Sequence, residues 1–425
     1  MGNRPAYASL VSHDPVDCPP RRAGLKQGME FSLHPYLKRL RESGAPDDYI
    51  DAVHRNAKPL ADRGLPVILT LGHLAHTTAS SIGVLTGIIK RRIDPYRIFA
   101  IRKRSGGKRF ICVPESGLLT MQRWIHDHIL CSPEALKCLS NCATAYTPGS
   151  SHIVNAKRHL GAAWVLKLDI THFFESISER QVYHVFRGLG YRALVAFCLS
   201  RLCTRVLPAS SDRRLHRHTK RWQPGMQRKF LMARVVGHLP QGAPTSPMLA
   251  NLVCVALDAE LLKIAVREGL TYSRYADDMT FSGEMANRSA AVRIAREVSA
   301  IVGRYGFGIN AQKTNIAKNG GRKIVTGLSV DNDIVHLPRG YKDAIRQELF
   351  YLDKHGIQSH CSRIGQKNHL SYMLRLAGRI RYAAAIEPAL GKQMMDKFQR
   401  IFPAFLELEY MVSTVSDGHV RPELD

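Results

Sequence analysis

The stretch Tyr272-Ser-Arg-Tyr-Ala-Asp-Asp-Met-Thr-Phe281 places two adjacent carboxylates, Asp277 and Asp278, in a short turn between two strand-like runs. A third carboxylate, Asp169, ends the mostly apolar run Trp164-Val-Leu-Lys-Leu-Asp169. Carboxylates that converge from separate strands can hold two divalent cations about 3.5–4 Å apart, which clamp the attacking and leaving oxygens of an in-line phosphoryl transfer. The sequence therefore predicts a two-metal site formed by Asp169, Asp277 and Asp278.

Charge and composition restrict the partners of this chain. It has 425 residues, with 61 Lys and Arg against 35 Asp and Glu, which gives a formal net charge of +26. A balance this basic predicts a polyanionic partner, and nucleic acid fits because its binding depends on the neutralisation of phosphates. The nine cysteines form no Cys-x-x-Cys pair, so we expect reduced thiols in a cytoplasmic protein.

One uncharged stretch, residues 65–89, is followed by Lys90-Arg-Arg92 and resembles a membrane span in length. It also contains Pro66, two histidines and several Ser and Thr residues, which make it too polar for that role. We predict a buried helix pair with a break at residues 80–81, and no membrane partner.

Alternation between strand-like and helical stretches predicts an α+β fold. Residues 96–113 alternate as a β-hairpin with its turn at Ser105-Gly-Gly107. Further strands are expected at residues 164–169, 271–275 and 279–282. Helices are expected at residues 118–130, 179–203, 247–267 and 287–305, and with interruptions from residue 341 to about residue 408. Acidic strand ends within this alternation, with helical elements at both ends of the chain, are typical of an α+β catalytic domain.

The motifs and their order resemble those of reverse transcriptases. Lys167-Leu-Asp-Ile-Thr-His-Phe-Phe174 is similar to the first catalytic motif of that family, and Tyr275-Ala-Asp-Asp278 is similar to the second. Pro240-Gln-Gly-Ala-Pro-Thr-Ser-Pro247, between them, resembles the motif that positions template and nucleotide. Gly306-Phe-Gly-Ile-Asn310, followed by Lys313-Thr314, resembles the next block. The resemblance covers about residues 65–405.

Two shorter stretches resemble retron reverse transcriptases in particular. Asn155-Ala-Lys-Arg-His159 is similar to their Asn-Ala-x-x-His signature, and Val325-Thr-Gly327 is similar to their Val-Thr-Gly signature. The resemblance implies a right-hand polymerase. Its expected parts are an N-terminal extension at residues 1–64, partly disordered and then helical, fingers at 65–163, a palm at 164–338 with a basic insertion at about 205–236, and a helical thumb and tail at 339–425.

The resemblance also implies roles for single residues. Asp169, Asp277 and Asp278 would hold two Mg²⁺ ions, for which Mn²⁺ can substitute, since oxygen-only ligation suits such ions. Phe174 would be a bulky gate that clashes with a ribose 2′-OH and so selects deoxynucleotides. The alternative for Phe174 is a core aromatic, which is our expectation for Phe173.

Further residues are candidates for nucleotide binding. Gln241 and Gly242 would contact the incoming nucleotide, with the glycine permitting close approach. They could equally belong to a proline-rich helix entry that has Ser246 as its N-cap. Lys103 and Arg109 on the basic hairpin would clamp the triphosphate, and their alternative is a solvated surface.

Three residues near these motifs have open assignments. Lys313 resembles the mobile lysine near the pyrophosphate leaving group, a candidate general acid, and its alternative is an ordinary surface lysine. Asn155 and His159 are spaced by one helical turn, which suits either the positioning of RNA or capping and packing.

The stretch between Arg205 and Val235 is longer than a compact palm needs and contains a single acid, Asp212. Its basic and aromatic residues predict a grip on the RNA backbone with one stacking ring, and the alternative is a solvated loop. The candidate RNA-binding residues there are Arg213, Arg214, Arg217, Arg221 and Trp222.

The resemblance implies an RNA-directed DNA polymerase that consumes dNTPs and forms an RNA–DNA hybrid. For a retron enzyme it further implies a structured non-coding RNA as template and primer, a branched RNA-linked DNA product, the bacterial cytoplasm, a role in anti-phage defence and a separately encoded effector protein. Two alternatives stay open: a retron-like defence enzyme that makes repetitive or untemplated DNA on another RNA, and an inactive RNA-binding scaffold. The intact set of three aspartates argues against the scaffold.

Overall fold

The computed structural model describes residues 33–102, 106–206, 236–318 and 320–403, which form two compact units. The larger unit comprises residues 33–152 and 164–316, and the smaller unit comprises residues 153–163 and 317–403. The subdomain boundaries expected from the sequence stay a prediction.

The larger unit contains both helices and strands. Its helices are α1 (Leu33–Glu42), α2 (Asp47–Asp62), α3 (Leu71–Thr77), α4 (Ile82–Ile89), α5 (Ser116–Ile125), α6 (Pro133–Lys137), α8 (Glu179–Gly188), α9 (Ala193–Cys203), α10 (Ser246–Val253), α11 (Val255–Arg267) and α12 (Arg288–Arg304). A π-helical turn, His126–Leu130, continues α5. Its strands are β1 (Tyr96–Arg102), β2 (Lys108–Pro114), β3 (Trp164–Thr171), β4 (Thr271–Tyr275), β5 (Asp278–Gly283) and β6 (Gly308–Ile309). Two elements include a boundary between the units, α7 (His152–Lys157) and β7 (Asn315–Lys318).

A five-stranded sheet forms the centre of the larger unit, in the order β4-β5-β3-β6, with β7 also paired with β3. Strand β3 is a nearly continuous apolar run, and its residues Val165, Leu166, Leu168 and Ile170 are all buried. Such a run is typical of a strand covered on both faces. Helix α11 packs against β4, and α12 packs against β3 and β6. The α+β fold predicted from the sequence is thus confirmed.

Two local predictions at the N-terminal side are also confirmed, the second only in part. The hairpin is present as β1 and β2, with Tyr96 opposite Pro114 and Arg102 opposite Lys108. The helix pair is present as α3 and α4, with a break at residues 78–81, but it is only partly buried, because Ile82 is 55% and Val84 is 42% exposed. Among the residues that the structure describes, no helix is both long and apolar enough to cross a membrane.

Other helices differ in detail from their predictions. The stretches 179–203 and 247–267 are each interrupted, at residues 189–192 and at Cys254. Helix α8 begins with a capping box in which Ser178 and Gln181 satisfy each other's backbone amides. The assignment of Ser246 as an N-cap was wrong, because α10 begins at Ser246 itself. The Ser246 hydroxyl instead donates to the carbonyl oxygen of Pro240 at 2.7 Å.

The smaller unit is mainly helical. It contains α13 (Arg339–Arg363), α14 (His369–Ile386), α15 (Pro388–Ile401) and a short hairpin of β8 (Ile324–Val325) and β9 (Leu328–Ser329). Helix α13 is kinked at Gly356, whose φ of 71° is not helical. The buried Lys323 donates from Nζ to the Ala162 carbonyl oxygen at 2.6 Å, so residues 153–163 belong to this unit through a specific contact.

Candidate active site

The main chain of the larger unit brings the three predicted metal ligands together. Asp169 in β3 lies opposite Asp278, the first residue of β5. Ala276 and Asp277 form the two-residue turn between β4 and β5, and Ala276 is left-handed, with a φ of 55°. The Ile170 amide donates to the Asp277 carbonyl oxygen at 2.9 Å, which ties the turn to β3. Backbone pairing therefore determines where all three aspartates lie.

The electrostatics of this cluster suit a bound cation. Burial, followed by the charges of Asp278 and Asp169, raises the pKa of Asp277 to about 6. Burial also raises the pKa of Asp278, although Lys167 opposes the shift. Several carboxylates in a desolvated site repel one another unless a positive charge is present. A set of three carboxylates, with oxygen donors only, fits a hard divalent ion such as Mg²⁺.

Lys313 supplies a positive charge to the cluster. Its Nζ donates to Asp169 Oδ1 at 2.6 Å, and its side chain is about half exposed whereas that of Asp169 is buried. Burial lowers the pKa of Lys313, but the hydrogen bond and charge of Asp169 outweigh burial and the net shift is upward. Within the described ranges, no three His, Cys, Asp or Glu side chains are already arranged to hold a metal ion. A divalent cation at Asp169 would compete with the Lys313 ammonium, because that ammonium already hydrogen-bonds the Asp169 carboxylate.

The two phenylalanines after Asp169 have different environments. Phe173 is buried, with its ring centroid 5.9 Å from that of Phe307, which confirms it as a core residue. Phe174 begins a 3₁₀ turn, Phe174–Ser176, and is only partly buried. Its ring centroid lies 5.4 Å from that of Phe173 and 6.4 Å from that of Tyr146. The gate role of Phe174 stays a prediction, and Tyr146 is its unexpected neighbour.

Gly242 is in close contact with the hairpin of β1 and β2. Its φ is 110°, and a Cβ there would lie 2.8 Å from Ile111 Cγ2 and 3.1 Å from the Cys112 carbonyl oxygen. The Cys112 amide donates to the carbonyl oxygen of Gln241 at 2.7 Å. The close approach that the sequence suggested at Gly242 is therefore made by β2 of the same chain. Nucleotide binding by Gln241 and Gly242 stays a prediction.

The basic residues of the hairpin are only partly described. Arg109 lies in β2 opposite Ile101, is partly buried, and interacts electrostatically with Tyr146. The binding of the triphosphate by Arg109 stays a prediction. Lys103 lies outside the described residues.

The predicted RNA-binding residues divide into two groups. Asn155 and His159 lie in the smaller unit and are buried, at 1% and 0% exposure, and burial lowers the pKa of His159 to about 4. This burial favours the packing alternative, and RNA contact stays untested. The second group lies outside the described residues and comprises Arg213, Arg214, Arg217, Arg221 and Trp222. The chain on either side of that group is paired, since Arg205 and His238 exchange backbone hydrogen bonds of 3.0 and 2.9 Å.

Sequence reasoning missed a group of polar residues beneath the site. Arg274, Asp258 and Asn251 are all fully buried, and Arg274 and Asp258 form an ion pair with a 2.7 Å contact. The available signal was the arginine directly before Tyr275-Ala-Asp-Asp278, a charged residue within an otherwise buried strand. The spacing alone did not reveal its partners, which come from α10 and α11.

Comparison with known proteins agrees with this geometry. Residues 101–328 match the family model described as reverse transcriptase (RNA-dependent DNA polymerase). The chain is 36% identical to the retron Mx65 reverse transcriptase of Myxococcus xanthus over 68% of this chain and 64% of that protein. It is 28% identical to the retron Ec86 reverse transcriptase of Escherichia coli over 81% of this chain and 98% of that protein. The match thus spans less than two thirds of the Mx65 protein but nearly all of the Ec86 protein.

Among solved structures, a telomerase from Candida albicans, in complex with a fragment of telomeric RNA, matches with a TM-score of 0.36 and 12% identity. That match covers 75% of this chain and 66% of the telomerase chain. A similarity at this level carries no argument about function.

Proposed function

The chain belongs to the reverse transcriptase (RNA-dependent DNA polymerase) family and is of the retron type, and from this premise we propose that it reverse-transcribes a cognate structured non-coding RNA into single-stranded DNA. The observation that carries the proposal is the pairing of Asp169 with Asp278 across β3 and β5, with Asp277 in the adjoining turn. This arrangement supplies three carboxylates from two neighbouring segments of one sheet.

The residues of the chain have separable roles in this reaction. Asp169, Asp277 and Asp278 would hold two Mg²⁺ ions. When bound, such ions stabilise the charge that develops on the transferred phosphoryl group. Lys313 is placed to hold or deliver a proton beside Asp169, because its ammonium already hydrogen-bonds that carboxylate. The protein thus contributes mainly positioning and charge stabilisation.

We assign selection of the deoxyribose sugar of the nucleotide to the side chain of Phe174. Phe174 lies five residues after Asp169 and is partly exposed, and its ring is in contact with those of Phe173 and Tyr146. A rigid ring at this position would exclude a ribose 2′-OH by steric clash. Arg109 on β2 would bind the triphosphate, and Gln241 would contact the base or sugar of the incoming nucleotide.

The product and the biological role are part of the proposal. The resemblance to retron reverse transcriptases implies an RNA-primed reaction that leaves DNA joined to its RNA by a 2′–5′ branch. It also implies a bacterial anti-phage system with a separately encoded effector. The net charge of +26 is consistent with a large RNA partner, since each neutralised phosphate adds to affinity.

The proposal is tested by purifying the protein from bacteria that carry its native locus and sequencing the nucleic acid that co-purifies, with and without RNase and debranching treatment. We expect one defined single-stranded DNA joined through a 2′–5′ branch to a structured RNA. Repetitive or unbranched DNA would instead indicate another defence-associated reverse transcriptase. RNA alone, without dNTP incorporation, would indicate a scaffold.

A variant separates synthesis from RNA binding. Asp277→Ala removes one of the three carboxylates and changes none of the basic residues proposed to bind RNA. We therefore expect synthesis to fall below detection while the same RNA co-purifies. Synthesis at the wild-type level by this variant would overturn the metal-ligand assignment. Asp333→Ala, an exposed acid in the smaller unit, is the control and should retain both properties.

A further inference from the structure

A group of fully buried polar side chains lies beneath the catalytic turn, and we call Asp258, Arg274 and Asn251 the buried network. Two bonds orient the guanidinium, from Arg274 Nε to Asp258 Oδ1 at 2.8 Å and from Nη2 to Asp258 Oδ2 at 2.7 Å. A bidentate pair of this kind determines the direction of the remaining N–H groups as well as the position of the charge. The third nitrogen, Nη1, is consequently held in one direction.

That third nitrogen binds the catalytic turn. Arg274 Nη1 donates to the Ala276 carbonyl oxygen at 3.1 Å. This oxygen belongs to the peptide group that leads into Asp277. Ala276 is left-handed, a conformation that is unfavourable for a non-glycine residue and persists only where other contacts hold it. The arginine therefore supplies a restraint at the point where the turn is least favourable.

The same nitrogen is linked through Asn251 to the segment that carries Tyr146. Arg274 Nη1 also donates to Asn251 Oδ1 at 3.1 Å, and Asn251 Nδ2 donates to the Ala145 carbonyl oxygen at 2.6 Å. The Ala145 oxygen belongs to the peptide group that leads into Tyr146. Tyr146 is itself left-handed, with a φ of 62°, which is rare for a bulky residue. The network thus binds one peptide group on each side of the site.

Tyr146 belongs to the active site by two further observations. Its ring lies 6.4 Å from that of Phe174, and its hydroxyl interacts electrostatically with Asp277 and Arg109. The segment before it is attached to β4, because the Thr144 amide donates to the Arg274 carbonyl oxygen at 2.8 Å. Displacement of Tyr146 would therefore remove the support on one side of Phe174.

A purely structural role is the competing explanation for a buried ion pair. Buried ion pairs add little net stability, because desolvation of the two charges offsets their attraction, and apolar residues of similar size often replace them without loss. Stability alone thus gives a weak reason for this pair. The bond from Arg274 to the Ala276 carbonyl oxygen, and its link through Asn251 to the Ala145 carbonyl oxygen, give a more specific one.

We propose that the buried network positions both sides of the active site, by holding the peptide groups that lead into Asp277 and Tyr146. The network then sets metal affinity through the first peptide group and sugar discrimination through the second. Its members touch neither substrate nor metal, so they are positioning residues. The part of the proposal that concerns sugar discrimination, the sugar arm, rests on the proposed function. The part that concerns metal affinity, the metal arm, depends only on the three carboxylates.

The first test is Arg274→Lys, which keeps the charge opposite Asp258 but cannot donate at once to Asp258, Asn251 and Ala276. Binding of Mn²⁺ to the purified protein is measured by electron paramagnetic resonance, a readout that needs no polymerisation. We expect the Mn²⁺ affinity to fall at least about fivefold, with a thermal unfolding midpoint close to that of the wild type. Wild-type Mn²⁺ affinity in this folded variant would overturn the proposal.

The second test replaces the ion pair as a whole, as Asp258→Leu with Arg274→Met. The apolar pair removes the buried charges but gives the Ala276 oxygen no donor. We expect stability near that of the wild type together with weaker Mn²⁺ binding, a combination that a structural role does not produce. Stability and Mn²⁺ affinity that both equal those of the wild type in the double variant would overturn the proposal. Tyr272→Phe is the matched control, since it removes only a hydroxyl that donates to Asp258 at 2.9 Å.

The third test addresses the sugar side with Asn251→Ala, which removes the donor to the Ala145 oxygen and leaves the Arg274–Asp258 pair in place. The ratio of kcat/KM for dNTP to that for the matching NTP is measured in primer extension by the protein–RNA complex. We expect this ratio to fall about tenfold with a smaller change in Mn²⁺ affinity. An unchanged ratio would remove Tyr146 positioning from the proposal. Absence of any extension by the wild type would instead refute the proposed function, and the Mn²⁺ measurements would still decide the metal arm.

Discussion

Lys313 Nζ lies 2.6 Å from Asp169 Oδ1, so an ammonium group stands beside the carboxylate that ends the apolar run of β3. These residues are 144 positions apart in the chain. The contact neutralises part of the charge of the three-carboxylate cluster, to which Lys167 also contributes a positive charge beside Asp278. A divalent ion that binds Asp169 through Oδ1 would compete with the lysine.

The first prediction concerns this competition. Lys313→Met should raise the affinity of the dNTP-free protein for Mn²⁺ about fivefold, since an ion pair with one exposed partner contributes up to about 1 kcal/mol. The same variant should polymerise more slowly, because the proton donor proposed for the reaction is lost. Mn²⁺ titration followed by electron paramagnetic resonance and single-turnover extension measure the two effects. Lys318→Met, at an exposed position of β7, is the control, and equal Mn²⁺ affinity in both variants would contradict the competition.

The second prediction concerns the sugar gate. Phe174→Ala should admit ribonucleotides, lowering the preference for dNTP over NTP by roughly a hundredfold, because the clash with the 2′-OH is lost. Competition between dNTP and NTP during primer extension measures the preference. Phe174→Tyr keeps the ring and should keep the preference. If Phe174→Ala discriminates as the wild type does, another residue is the gate.

The third prediction concerns Gly242. An added Cβ would lie 2.8 Å from Ile111 Cγ2 and 3.1 Å from a backbone oxygen, in a conformation that side chains rarely adopt. Gly242→Ala should therefore cost about 1–3 kcal/mol of stability and raise the KM for dNTP by displacing β2. The double variant with Ile111→Ala should recover part of the loss, because the nearest contact is gone.

Thermal unfolding and steady-state extension measure these effects. Gly303→Ala is the matched control, since a Cβ at this position in the last turn of α12 meets nothing within 4 Å and alanine favours a helix. A loss of stability at Gly303 as large as that at Gly242 would show that the contact with β2 is unimportant.

The fourth prediction is a pH dependence from His159. Its pKa falls from 6.5 to about 4 on folding, because burial disfavours the charged ring. The unfolded chain then binds a proton more readily than the folded one, so this contribution to stability is lost as the pH falls from 6.5 towards 4. By pH 5 the loss should be about 2 kcal/mol.

Urea unfolding at pH 7.5 and pH 5.0 measures this loss in the wild type and in His159→Gln. The variant should be less stable at pH 7.5 but should lose about 2 kcal/mol less on acidification. His184→Gln, at an exposed position of α8, should change as the wild type does. An identical pH dependence in the wild type and His159→Gln would show that His159 is not buried in its neutral form.

The chemistry of this protein was readable from short stretches of sequence. Asp277 lies in the turn and Asp278 begins the strand after it, and both this turn and the apolar run before Asp169 are local patterns in the sequence. Phe173 was expected to be a core residue, and the structure buries it. The helices 179–203 and 247–267 were found, but their interruptions were missed because apolar spacing continues across them.

Contacts between distant segments were decided only by the tertiary structure. Gly242 and Ile111 are far apart in sequence, so the glycine indicated a close approach without indicating what approaches. The sequence around Arg274 did not indicate that its partners are Asp258 and Asn251, because sequence alone does not distinguish a buried arginine in a strand from an exposed one. The sequence by itself determined the family, the α+β class and the three carboxylates, because these depend on local order. Packing determined which groups hold them in place, because a hydrogen bond is formed by distance in space and no local pattern encodes it.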